Sequence, residues 1–193
     1  MYAIGVDIGG TKIAAGVVDE DGRILAKTRR DTATQDSSSV DTGVLDALAS
    51  AAFQRVGELE PPTVAAVRGG AVGAGMNLAF ATDLRVVARD AKLISGFLPI
   101  GLHPGGGHAA LLGRTGAREA TSALTLFGER IDGARAAELG LAWEALPDAE
   151  VDARAQALAA VPGADPELAR RTARSLRTEL GPPALPWPAA LEL

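Results

Sequence analysis

The chain has 193 residues, 47% of them apolar and 22% charged, with a net charge of −5, two histidines and no cysteine. That composition suits one soluble globular core and excludes disulfides, thiolate metal sites, cysteine nucleophiles and a basic surface for nucleic acid. No apolar run reaches spanning length and the N-terminus lacks a leader-like layout, so the expectation is a cytoplasmic protein without a membrane partner.

Residues 2–31 read as a three-stranded β-meander. "YAIGVDI" and "TKIAAGVV" are β-rich runs split by Gly9-Gly10, and "DEDG" turns the chain into "RILAKTRR". The polar stretch "DTATQDSSSVDTG" that follows, Asp31 to Gly43, is a loop or seam. Asp41 or Thr42 is placed to cap a helix whose apolar face would carry Leu45, Leu48, Ala52, Val56 and Leu59 before Pro61-Pro62 ends it.

Strand and helix then alternate. "TVAAVRG", "DLRVVA", "AKLISGF" and "LAWEAL" are predicted strands. Predicted helices run from Gly73 to Ala81, Pro104 to Leu112 and Ala117 to Leu126, through "GARAAELG", then from Ala149 to Ala160 and Pro166 to Glu179. The alternation implies an α/β layer architecture. The expected divisions are 1–34 for the meander, 35–43 for the seam, 44–180 for the core and late helices, and 181–193 for a proline-broken tail.

Two motifs carry chemistry. In "DIGGTK", Gly9 and Gly10 would let backbone N–H groups approach a phosphate, Thr11 adds a hydroxyl, and Asp7 is placed to hold a magnesium-bound water. Residues 1–34 resemble the phosphate hairpin of ROK-family sugar kinases. Those kinases also need an Asn-Asp catalytic aspartate, a second phosphate loop and an adenosine loop, and none of these follows. The zinc site most of them carry is impossible without cysteine. The alternative is a plain meander capping a sheet, which the missing elements favour.

The second resemblance covers about residues 46–160. "PPTVAAVRGGAVGAGMNLAFATDLRVVARDAKL" and "IGLHPGGGHAALLGRTGAREATSALTLFGERIDGARAAELGLAWEALP" resemble the crotonase superfamily, the enoyl-CoA hydratases and isomerases. The Gly-x-Gly helix start, Asp-x-Arg, Gly-x-x-Pro-Gly, Gly-Glu-Arg-Ile and Ala-x-x-Gly-Leu elements occur in the family's order. The resemblance implies a crotonase-like ββα spiral, here truncated at its N-terminal end and preceded by the meander. It also implies an acyl-CoA thioester as substrate, no further cofactor, and a homo-oligomer built as a trimer or hexamer.

By position, the resemblance assigns an oxyanion-hole amide to Ala74, framed by Gly73 and Gly75. Helix-opening N–H groups suit that role because a thioester develops negative charge on its carbonyl oxygen. The structural alternative is close helix–sheet packing at small residues. Gly105, Phe97 and Leu98 would line the acyl pocket. The family's two water-activating glutamates are replaced by Asn77 and Phe97, and the early segment that supplies the other oxyanion amide is missing. An amide orients water but accepts no proton near neutrality, and a phenyl ring does neither. His103 falls where the family positions its water, as a substitute base or a pocket-lining residue. His103 and His108, five apart, do not make a metal pair on one helix face, and no metal is expected. Asp83, Arg85, Glu129 and Arg130 read as caps and turn-fixing charges.

The functional expectation is an acyl-CoA-handling protein of the hydratase/isomerase type with weak or no hydration. A non-catalytic acyl-CoA-binding or oligomerising subunit and a sugar-kinase remnant are the alternatives. An artificial join at the polar seam would also explain the two resemblances.

Overall fold

Why each segment adopts its structure follows from where β-branched runs meet glycine turns. The computed structural model describes backbone at residues 3–8, 12–18 and 24–31, and whole residues at 51–179. The chain divides into two compact units, Met1–Leu45 and Asp46–Leu193.

The first unit holds the expected meander. Strands β1 (Ala3–Ile8), β2 (Lys12–Val18) and β3 (Ile24–Asp31) pair antiparallel in chain order, with a register shift at Val17/Val18. The Gly9-Gly10 and "DEDG" turns, the polar seam, the Asp41/Thr42 cap and the tail from 181 lie outside the described residues.

The second unit is built from strand pairs that turn a corner between two small sheets. β4 (Val64–Val67), β6 (Leu84–Ala88) and β9 (Glu144–Leu146) form a parallel sheet with β6 at its centre. β5 (Gly70–Val72) and β7 (Lys92–Ile94) run parallel, and β8 (Arg130–Asp132) joins β7 antiparallel. The first two β-strand pairs each deliver one strand to each sheet, β4 then β5 and β6 then β7. Gly69 turns the first corner with a left-handed φ of 68°, and its carbonyl accepts the Lys92 N–H at 2.7 Å, bonding one corner to the next. The central strand is buried at Val86, Val87 and Ala88, as a parallel strand covered on both faces should be.

Helical residues 51–57 (α1) lead into this unit. Helices α2 (Ala74–Phe80), α3 (His108–Gly113), α4 (Arg118–Leu126), α5 (Gly133–Glu138), α6 (Val151–Gly163) and α7 (Pro166–Glu179) follow. Their buried side chains, among them Met76, Phe80, Leu111, Leu112, Leu124 and Val151, close one core around the strands.

Several expectations are corrected. The helix predicted from Pro104 begins at His108, because Gly106 and Gly107 hold left-handed φ values of 65° and 71° that a helix cannot use. "LAWEAL" is a strand only from Glu144: Leu141 and Ala142 are buried in the preceding turn, where both N–H groups bond to Ala136 O. "AKLISGF" stops at Ile94, and "TVAAVRG" is a strand only to Val67. Strands β5 and β8 fall where a helix start and a turn were read. On α1 the buried residue is Phe53, with Val56 half-buried; Ala52 is exposed, as is Leu59 beyond the helix end.

Asp83 of the Asp-x-Arg element, expected as a cap or turn-fixing charge, ties Thr63, the residue before β4, to α7. The Asp83 carboxylate accepts the Thr63 N–H and hydroxyl, each at 2.8 Å, and both Arg177 Nη2 and Nε of α7. Burial pushes its pKa up, but these hydrogen bonds outweigh that and hold it below the usual carboxylate value. Asp83→Ala should loosen α7 at a cost of about 1 kcal/mol, since the group is partly solvated. Urea unfolding of the two proteins checks this.

Candidate active site

The turn from β5 into α2 occupies the centre of the site. Gly73 precedes the helix with φ 52° and ψ −108°, a left-handed backbone that a side chain resists. Its N–H bonds to Ile94 O at 2.9 Å, and its carbonyl accepts the Asn77 N–H at 3.1 Å. Ala74 is the first helical residue, and such an N–H has no partner within the helix. Gly73 is buried, whereas Ala74 and Gly75 are half-buried.

Asn77, one turn into α2, reaches across to the glycine loop. Its Nδ2 donates to Gly105 O at 3.1 Å, and its Oδ1 meets His108 Nδ1 at 2.6 Å. His108, the first residue of α3, places Nε2 2.7 Å from Ser95 Oγ just beyond β7. All three side chains are buried: Asn77 is 2% exposed, Ser95 3% and His108 1%.

The proton positions follow from one end. Gly105 O can only accept, so the amide NH₂ faces it and Oδ1 faces the imidazole. Oδ1 can only accept, so His108 Nδ1 carries the hydrogen. Nε2 of the neutral ring is then an acceptor, and Ser95 donates its hydroxyl proton to it. Burial drives the imidazole toward neutrality and pulls its pKa from 6.5 down to about 4.

Small residues make this approach possible. A Cβ on Gly106 would stand 2.8 Å from Asn77 Nδ2 and 3.2 Å from the Phe53 ring. The half-buried Phe97 ring lies edge-on to His108 with centroids 5.0 Å apart, and close to Gly73.

The sequence-predicted residues are thus partly brought together. Gly73, Ala74, Asn77, Phe97 and the Gly105 carbonyl converge. His103 does not: it stands exposed in the loop, and the histidine that meets Asn77 is His108. Leu98, 48% exposed at the start of the 3₁₀ turn Leu98–Ile100, is largely a surface residue. Asp7 lies in β1, and Gly9, Gly10 and Thr11 fall outside the described residues. Among the described residues no group of three His, Asp or Glu could hold a metal ion.

Ser95 and His108 were missed as partners. A signal existed: each is a polar residue beside apolar neighbours, in "KLISGF" and "HAALL", and a buried polar side chain requires a hydrogen-bond partner.

The spiral of strand pairs, with its glycine-framed helix start, is the crotonase-like α/β fold. The family model described as enoyl-CoA hydratase/isomerase matches residues 31–183, and the chain belongs to that family. A probable enoyl-CoA hydratase of Rhodobacter capsulatus is 41% identical over 107 residues, 53% of this chain and 42% of the relative. The 1,2-epoxyphenylacetyl-CoA isomerase of Escherichia coli is 36% identical over 106 residues, 55% of this chain and 40% of that protein. Among solved structures, an enoyl-CoA hydratase from Mycobacterium avium subsp. paratuberculosis is similar with a TM-score of 0.69 at 26% identity, covering 77% of this chain and 61% of that one. The chain spans about half the length of the curated relatives it matches.

Proposed function

We propose that the chain binds an acyl-CoA thioester at the β5–α2 turn, with the Ala74 N–H polarising the thioester carbonyl, and that it hydrates enoyl-CoA weakly or not at all. Gly73, Gly75, Phe97, Leu98 and Gly105 would border the acyl group. One observation carries the reading: the Asn77 amide is committed at both ends, to His108 and to Gly105 O, where a hydratase would need a carboxylate exchanging protons with water. Phe97 supplies no proton acceptor at the other glutamate position.

A non-catalytic acyl-CoA-binding subunit is the second reading, and the burial of the polar side chains beside Ala74 is what supports it. Homo-oligomerisation as a trimer or hexamer, a cytoplasmic location, and a division at 1–34, 35–43, 44–180 and 181–193 complete the proposal. The phosphate-hairpin likeness of residues 1–34 predicts stabilisation by Mg-ATP only on the kinase-remnant alternative.

Crotonyl-CoA tests the reading. It should raise the melting temperature, while loss of the enoyl absorbance should run about 10²–10⁴-fold slower for each missing acid–base group than in a glutamate-bearing hydratase. Ordinary turnover would refute the proposal, as would stabilisation by Mg-ATP but not by the thioester.

A further inference from the structure

The buried side chains beside Ala74 have a polarity that packing alone does not require. An apolar trio of similar volume would fill the same space without three polar desolvation costs. Instead the hydrogen bonds run in one direction: Ser95 O–H to His108 Nε2, His108 Nδ1–H to Asn77 Oδ1, and Asn77 Nδ2–H to Gly105 O. A hydroxyl aimed at an imidazole lone pair, with the opposite ring N–H held by an amide oxygen, is the arrangement that activates a serine nucleophile.

We propose that Ser95, His108 and Asn77 act as nucleophile, base and orienter, transferring the acyl group of a thioester to Ser95 Oγ and then to water. This rests on the acyl-CoA reading above and deepens it. A Cβ built on Gly73, the residue before Ala74, would stand 3.5 Å from the Ser95 carbonyl oxygen, so the backbone of Ser95 passes close to the β5–α2 turn.

The steps balance without a further reagent. Ser95 Oγ bonds to the thioester carbonyl carbon as its proton passes to His108 Nε2. The C–S bond then breaks, and the CoA sulfur leaves with the proton from Nε2. Water adds to the acyl-serine carbon and gives a proton to Nε2, the ester C–O bond breaks, and Ser95 Oγ is reprotonated. Thioester and water become carboxylic acid and thiol. Burial keeps the imidazole a weak base, so acylation and deacylation are both slow.

Access is governed by Phe97. Gly73, Ser95, Asn77 and His108 are all buried, and among these packed groups the Phe97 ring alone is partly exposed. Removing that ring should admit a reagent to Ser95.

The test uses the full chain with two reagents. A fluorophosphonate, which labels activated serines without needing a CoA site, is read by intact mass and peptide mapping; butyryl-CoA is read by thiol release. The expected result is a label on Ser95, faster labelling in Phe97→Ala, and slow thiol release. Both signals should fall at least about 100-fold in Ser95→Ala and in His108→Gln. Ser95→Ala removes one hydroxyl, and circular dichroism and melting verify its fold. If neither the parent nor a folded Phe97→Ala is labelled at Ser95, or if thiol release persists in Ser95→Ala, the triad is overturned. Labelling of Ser95 without stabilisation by any acyl-CoA keeps the triad and removes the thioester reading. Stabilisation by acyl-CoA with Ser95 unlabelled does the reverse.

Discussion

Arg85→Ala is expected to destabilise the chain by about 3 kcal/mol, which for this size lowers the melting temperature by roughly 6–12 °C. The guanidinium of Arg85, on the central strand β6, donates Nε to Leu141 O at 2.9 Å and Nη1 to Thr82 O at 3.0 Å. It also lies 5.0 Å over the Phe80 ring. Burial lowers its pKa, and the nearby Asp83 charge partly opposes that. Truncation therefore removes two charge-assisted hydrogen bonds and the ring contact, and leaves two carbonyls without these donors. Lysine should not rescue the loss, since one ammonium lacks the planar fork that reaches both carbonyls. Urea and thermal unfolding of both variants measure this, and a loss below about 1 kcal/mol for Arg85→Ala would show that solvent replaces the fork.

Acid should remove a further stabilisation of about 3 kcal/mol through His108. The imidazole has its pKa lowered from 6.5 to about 4 by burial, so the unfolded chain binds the proton more readily than the folded one. This contribution is complete above the unfolded value. It is lost progressively as pH falls from 6.5 toward 4, and it changes no further below that. Asp83, held below the usual carboxylate value, loses its share at lower pH. His108→Gln removes the titrating group, so its stability between about pH 7 and about pH 4 should fall less steeply than the parent's. Parallel curves for the two proteins would show that His108 is not the group responsible.

The ordered glycine motifs made the α/β spiral legible, because each glycine marks a backbone position that few other residues tolerate. Gly69 and Gly73 are such positions, turning the corner and opening α2. Strands β5 and β8 were not legible: Gly70–Val72 lies inside the glycine run before α2 and Arg130–Asp132 inside the Gly-Glu-Arg-Ile element, where turn residues mask a three-residue strand. In the site, replacement of the family's glutamates at Asn77 and Phe97 could be read from motif order. The Ser95–His108 bond could not, because the end of β7 and the start of α3 meet only in the folded chain. Motif order points to His103, which falls where the resembled family positions its water, and not to His108. Local sequence does not say which of two neighbouring histidines turns inward.

The parallel pairing of Val86 with Glu144 has a consequence for synthesis. Until the ribosome has released Glu144–Leu146, the nascent chain holds β6 with one ladder unfilled. Such late, long-separation pairing is slow to form. Through that interval the edge of β6 at Val86 and Val87 is open to pairing with another chain.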